Sequence, residues 1–145
     1  MLCNEIAKNY LINTARSLIF STALSPYAFA HIAYMVKYMQ KRNDLRQRLH
    51  TITHAIHETL NEVNLENVSV SQIIPILTYE NEKALEACQF FKEHGFYAMP
   101  IRHPTVPKGQ ARLRLSLSAN LTDSEVNKLQ ETIKAFAKTS APTKG

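Results

Sequence analysis

The stretch IRHPTVPKGQARLRLSLS, residues 101–118, decides how the rest of the chain is read. Pro104 and Pro107 fix φ and remove two backbone donors, so the first half is a stiff loop. Gly109 permits the turn out of it. From Arg112 the residues alternate. Leu113, Leu115 and Leu117 fall on one side, and Arg112, Arg114, Ser116 and Ser118 on the other. That pattern is a half-buried strand with one apolar face and one cationic, hydroxylated face. A guanidinium fixed on a strand behind a rigid loop suits a carboxylate, because its planar fork meets both oxygens at once. The plainer alternative is a hairpin with solvated arginines, and composition alone favours it.

Upstream, residues 96–101 read as a neighbouring strand and 73–78 as another. Pro75 puts the latter at a sheet edge or a bulge, since it cannot donate to a ladder. Between them Ala84, Leu85, Cys88 and Phe91 recur at helical spacing over 81–94. Asn81 can cap that helix, and Gly95 can end it in the left-handed conformation. Downstream, Thr122 and Glu125 have capping-box spacing ahead of Val126, Leu129, Ile133 and Phe136. Residues 139–145 read as a disordered tail.

Toward the N-terminus, 4–18 reads as a short helix and 19–24 as an extended piece. Ser25 caps and Pro26 opens a helix over 26–41. That helix is apolar nearly all round, with Tyr27, Phe29, Ile32, Tyr34, Met35, Val36, Tyr38 and Met39. Such a helix is buried on most faces, in a core or an interface. In a chain of 145 residues it implies more protein around it. Leu45, Leu49, Ile52, Ile56, Leu60 and Val63 then mark an amphipathic helix. His50, His54 and His57 line its polar face at spacings that could gather a metal. No carboxylate or cysteine completes that set, and no metal is expected. The order of elements predicts an α+β domain: a three-stranded sheet, antiparallel or mixed, packed with helices and preceded by long helices.

The formal charge is +5, but the lysines and arginines are scattered and no zinc-finger or RNA-binding motif occurs. No nucleic-acid partner is expected. The three glycines, Gly95, Gly109 and Gly145, cannot build a phosphate loop. Cys3 and Cys88 form no CxxC pair and read as reduced thiols of a cytoplasmic protein. The apolar run 27–39 is too short for a membrane span and holds His31 and Lys37.

ARSLIFSTALSP at residues 15–26 and IRHPTVPKGQARLRLSLSA at 101–119 resemble the α-oxoamine synthase family. The IIPIL strand at 73–77 and the EHGF turn at 93–96 follow in the family's order. The resemblance is strongest to members that join L-alanine to a pimeloyl thioester in biotin synthesis. Members that make 2-amino-3-ketobutyrate share the architecture and usually vary the proline loop. The resemblance implies a homodimeric acyltransferase of fold type I that depends on pyridoxal 5'-phosphate. It implies that this chain is the C-terminal portion. Residues 1–63 would join a large cofactor domain to a small α+β domain at 64–138, with 139–145 as the tail.

The same resemblance implies roles residue by residue. Ser21 and Thr22 would reach the cofactor phosphate of the partner subunit. Thr105 would contact the acyl-thioester substrate. Arg114 would take the amino-acid carboxylate with Arg112 in support, and Arg102 would assist an anionic group. No catalytic residue is expected in this chain, because the family's cofactor lysine lies upstream of the position matching Met1. Lys8, Lys37 and Lys108 lack its context. The chain is therefore expected to be inactive unless a chain with the large domain complements it. Without the resemblance, Ser21 and Thr22 read as a turn and helix entry, and Thr105 as a loop hydroxyl. Ser25 and His103 stand where the family commonly has proline, and Leu121 where it commonly has histidine. His103 leaves the acyl-chain preference open. The competing reading is an interaction module that docks through the apolar helical stretch from Tyr27 to Met39.

Overall fold

The computed structural model describes residues 3–66 and 68–140. The chain forms two compact units, dividing between Arg42 and Asn43.

The larger unit holds α4 (Asn43–Glu62), β1 (Ile73–Tyr79), α5 (Asn81–Glu93), β2 (Met99–Ile101), β3 (Ala111–Ser116) and α6 (Asp123–Ser140). Its three strands lie in the order β1-β3-β2, and both pairings are antiparallel. Pro75 therefore sits on an edge strand, where its missing N–H costs no ladder bond. A bulge between Leu77 and Tyr79 ends β1, with Tyr79 at φ 65. The alternation of β3 holds: Ala111, Leu113 and Leu115 are buried, while Arg112 and Arg114 are half-buried on the other face.

The buried face meets Ile52, Ile56 and Leu60 of α4, Phe91 of α5 and Ile133 of α6, with Ile74 and Ile76 alongside in β1. Each such side chain contributes roughly 1.5–3 kcal/mol by leaving water. Polar contacts fix α4 against α6. Gln130 Nε2 donates to Thr59 Oγ1 at 2.8 Å, and Lys134 Nζ lies 2.8 Å from Glu62 Oε2. Arg48 Nη2 reaches Asp123 Oδ1 at 2.6 Å and donates to the Leu121 carbonyl at 2.9 Å. These contacts place α4 in the larger unit, with the sheet and α6.

Several expectations shift at element ends. The strand expected over 96–101 is three residues long, Met99–Ile101. Phe96 N donates to Phe91 O at 2.9 Å and Cys88 Sγ to Ala98 O at 3.2 Å, which ties this segment to α5. Asn81 does not cap α5. Glu80 occupies the cap, and Asn81 Oδ1 accepts from His103 N at 3.2 Å instead. Gly95 takes φ 88, as a helix stop requires. The capping box forms: Glu125 N donates to Thr122 Oγ1 at 3.3 Å, and Thr122 N to Glu125 Oε2 at 2.8 Å. Thr139 belongs to α6, where its hydroxyl donates to Phe136 O at 2.8 Å; the rest of the expected tail, from residue 141, lies outside the described residues.

The smaller unit holds α1 (Glu5–Thr14), α2 (Arg16–Ile19) and α3 (Pro26–Lys41). The single helix expected over 4–18 breaks at Ala15, whose ψ is 100. Just before the break, Asn13 Nδ2 and Thr14 Oγ1 donate to the carbonyls of Asn9 and Tyr10, each at 2.7 Å. Such side-chain bonds compete with the helical ladder. Asn4 caps α1 through Ala7 N, and Ser25 caps α3 through Ala28 N, with Pro26 behind it as expected. No residue of α3 is buried. Tyr27 is 88% exposed and Phe29 59%, so the cover expected for this helix is not supplied by the described residues.

Candidate functional site

The outer face of the sheet carries the site. β3 supplies Arg112 and Arg114, and the register places Pro75 and Met99 beside Arg114, Leu77 and Ile101 beside Arg112. The two arginines share a face because they are two residues apart on a strand. Their forks are used differently. Arg112 Nε donates to Gln110 O at 3.0 Å and its Nη2 to Gln110 Oε1 at 3.4 Å. Arg114 Nη2 donates only to the Met99 thioether, at 3.4 Å. Its Nε is buried and has no partner among the described residues. A buried donor left unpaired is costly, and a charged one more so. Arg114 is thus a cation with an unpaired Nε–H, whereas Arg112 is tied to its own loop.

Where β2 and β3 part, the loop at residues 102–110 folds on itself. Thr105 N and Val106 N both donate to Arg102 O, at 2.9 and 3.3 Å, and Gln110 N donates to Pro107 O at 3.2 Å. The His103–Pro104 peptide bond is cis. Arg102 and Thr105 are exposed at this end of the sheet. The bond from His103 N to Asn81 ties the loop to the start of α5. A cleft of about 260 Å³ runs along that junction, lined by Tyr79, Glu80, Asn81, Glu82, His103, Lys108 and Gly109. Tyr79 ends β1 beside it, and its hydroxyl donates to Glu66 Oε2. That bond to a carboxylate pushes the Tyr79 hydroxyl's pKa up.

Ser21 and Thr22 lie in the smaller unit, between α2 and α3. Both are exposed, and neither hydroxyl has a hydrogen-bond partner among the described residues. Ser25, four residues on, differs: its hydroxyl is used as the α3 cap. In the larger unit Arg114 lies on β3, while Arg102 and Thr105 lie in the loop that follows β2. Ser21 and Thr22 stand in a unit of their own.

Two histidines of the α4 stripe have other partners. His54 Nδ1 lies 3.3 Å from Glu58 Oε2, and His57 Nε2 lies 3.2 Å from Ser71 O. Among the described residues no group of three or more His, Cys, Asp or Glu could hold a metal, and no helix is long and apolar enough to cross a membrane. Cys3 and Cys88 are free thiols.

Asn81, Met99 and Gln110 are the site neighbours that sequence reasoning missed. Met99 becomes visible only through the β2–β3 register, and Asn81 through a contact 22 residues away.

Known proteins resemble this chain in sequence and in fold. The 8-amino-7-oxononanoate synthase of Haemophilus ducreyi is 38% identical over 130 residues, covering 89% of this chain and 34% of the relative. That of Chlorobaculum parvum is 35% identical over 130 residues, covering 89% and 33%. The chain thus spans about a third of the length of these curated relatives. Among solved structures, an 8-amino-7-oxononanoate synthase from Francisella tularensis superposes with a TM-score of 0.79 at 30% identity, covering 94% of this chain and 40% of that one. A serine palmitoyltransferase from Sphingomonas wittichii shares the fold, with a TM-score of 0.83 at 22% identity over 96% of this chain and 36% of that one. The family described as aminotransferase class I and II matches residues 1–133, through both units and the whole sheet, and the chain belongs to that family.

Proposed function

We propose that this chain is the C-terminal part of a pyridoxal 5'-phosphate-dependent 8-amino-7-oxononanoate synthase. The complete enzyme would condense L-alanine with a pimeloyl thioester, carried on coenzyme A or a carrier protein, in the biotin pathway. Carbon dioxide and the free thiol leave. The observation that carries this reading is the fork of Arg114, held by a thioether alone with a buried Nε–H to spare. An amino-acid carboxylate supplies the acceptors that this fork lacks.

Arg114 would bind that carboxylate and so orient the α-carbon. Thr105, exposed on the stiff loop, would donate its hydroxyl toward the acyl group, and Arg102 would draw an anionic part of the thioester. The free hydroxyls of Ser21 and Thr22 fit a phosphate group, which hydroxyls and backbone N–H groups can hold without lysine. They would hold the cofactor phosphate of a partner subunit in a homodimer. Pyridoxal phosphate, when bound, supplies the electron sink for the carbanion at the alanine α-carbon. The setting is cytoplasmic, and the 145 residues alone do not turn over, because none of their lysines has the context of the family's cofactor lysine.

The test is reconstitution. The chain is incubated with pyridoxal phosphate, L-alanine and pimeloyl-CoA, alone and with a chain bearing the large domain of a relative. Product is expected only in the mixture, and Arg114→Ala is expected to lower its rate at least a hundredfold, the scale of losing a charge-assisted carboxylate contact of about 3 kcal/mol. Product from the chain alone, with borohydride fixing the cofactor on one of its lysines, would overturn the proposed incompetence. An undiminished rate in Arg114→Ala would remove the carboxylate role. Glycine with acetyl-CoA outpacing L-alanine with pimeloyl-CoA would select the 2-amino-3-ketobutyrate reading instead. The exposed α3 favours a second reading, a non-catalytic interaction module, which strong self-association without product in any mixture would support.

A further inference from the structure

We propose that Met99 is a positioning residue of the Arg114 site, a thioether that holds the guanidinium until a carboxylate displaces it. The inference rests on the reading of Arg114 as the carboxylate-binding arginine. Met99 pairs directly with Arg114 across β2 and β3, so both side chains leave the sheet on the same face. Arg114 Nη2 donates to Met99 Sδ at 3.4 Å, and no other side chain takes this fork among the described residues. On the opposite flank Pro75 pairs with Arg114 and brings no polar side-chain atom.

The chemistry of sulfur matters here. A thioether is a weak, uncharged acceptor, so it orients a guanidinium without neutralising it. An amide in the same place would satisfy the fork. Arg112, on the same face, shows an occupied fork: its Nε donates to the Gln110 backbone carbonyl and its Nη2 to the Gln110 side-chain amide oxygen. A carboxylate approaching Arg114 side-on would use Nε–H and Nη2–H together. The sulfur stands on one of those two donors and must yield. Met99 is 38% exposed, and the methionine chain has the torsional freedom to withdraw.

The experiment uses the full chain labelled at methionine methyls and arginine Nε, titrated with sodium acetate at constant ionic strength. The Met99 methyl and the Arg114 Nε–H are expected to shift together with a single affinity, while the Met35 and Met39 methyls stay still. Met99→Gln is expected to weaken acetate binding about tenfold, the scale of one hydrogen bond to a charged group. Met99→Leu, similar in volume but without an acceptor, is expected to move the Arg114 Nε–H resonance before any acetate is added, because the thioether no longer holds the guanidinium. A Met99 methyl that stays still while Arg114 responds overturns the inference and leaves the reading of Arg114 intact. So does acetate binding in Met99→Gln equal to that of the parent, with the amide spectrum preserved. Absence of any response at Arg114 overturns both.

Discussion

Helices α3 and α4 are both rich in apolar residues, yet they end up in opposite states. α4 buries Ile52, Ile56 and Leu60 against the sheet and α6. α3, the more apolar of the two, buries nothing among the described residues. The difference lies in what each helix finds within the chain. The apolar stripe of α4 faces a strand face of matching period, and polar side chains on its flanks reach Asp123, Leu121 O and Gln130. α3 spreads its apolar residues around its circumference, and no single neighbour could cover them all. Periodicity therefore says which side of a helix seeks cover, but not where the cover comes from.

The largest effect that could break this contrast is a pair of truncations. Ile56→Ala opens a cavity at a fully buried position and is expected to cost about 2–5 kcal/mol in urea unfolding. Phe29→Ala, on the exposed α3, is expected to stay within about 0.5 kcal/mol. Equal costs would mean that α3 is covered in solution and that the two helices do not differ.

The caps sharpen the contrast at a smaller scale. Thr122→Ala removes the hydroxyl that caps α6 in the larger unit and is expected to lower the main unfolding transition by about 1 kcal/mol. Ser25→Ala removes an equivalent cap from α3 and is expected to leave that transition unmoved. The capping box also sets a pH dependence. Hydrogen bonds from Thr122 hold the Glu125 carboxyl below its ordinary pKa. A depressed folded-state pKa stabilises above the unfolded value, and that contribution is lost as pH falls through the folded one. The difference between parent and Thr122→Ala should therefore shrink on acidification below the usual carboxylate range, and a constant difference would remove Glu125 from the cap.

The smallest expected effect concerns the loop tied to the start of α5. Asn81→Ala should free the His103 amide and raise the backbone mobility of residues 102–110, at a stability cost of about 0.5–1.5 kcal/mol or less. Asn81→Asp keeps the acceptor and should restore the His103 shift. Unchanged relaxation in Asn81→Ala would mean that the loop's own turns suffice.

Much of the fold around the candidate site was legible because it rests on local rules. Strict alternation put Arg112 and Arg114 on one face, and Pro75 marked an edge strand. Thr122 and Glu125 announced the start of the last helix, and Gly95 the end of the helix before β2. Each of these follows from backbone geometry within a few residues. The break at Ala15 and the short β2 were hidden, because side-chain bonds from Asn13, Thr14 and Cys88 redirected chain that propensity would have kept regular.

By itself the sequence determined the α+β order, the two faces of β3 and the cationic character of one of them. Those properties depend on neighbours along the chain, where spacing is set by helix and strand geometry. Only the tertiary structure decided which arginine keeps its donors. Arg112 and Arg114 are identical in type and sit on the same face. They differ because one lies beside Gln110 at the loop and the other beside Met99 across the β2–β3 register. A hydrogen-bond partner is chosen by which atoms the fold brings within about 3 Å, and that distance exists only once separate parts of the chain have come together.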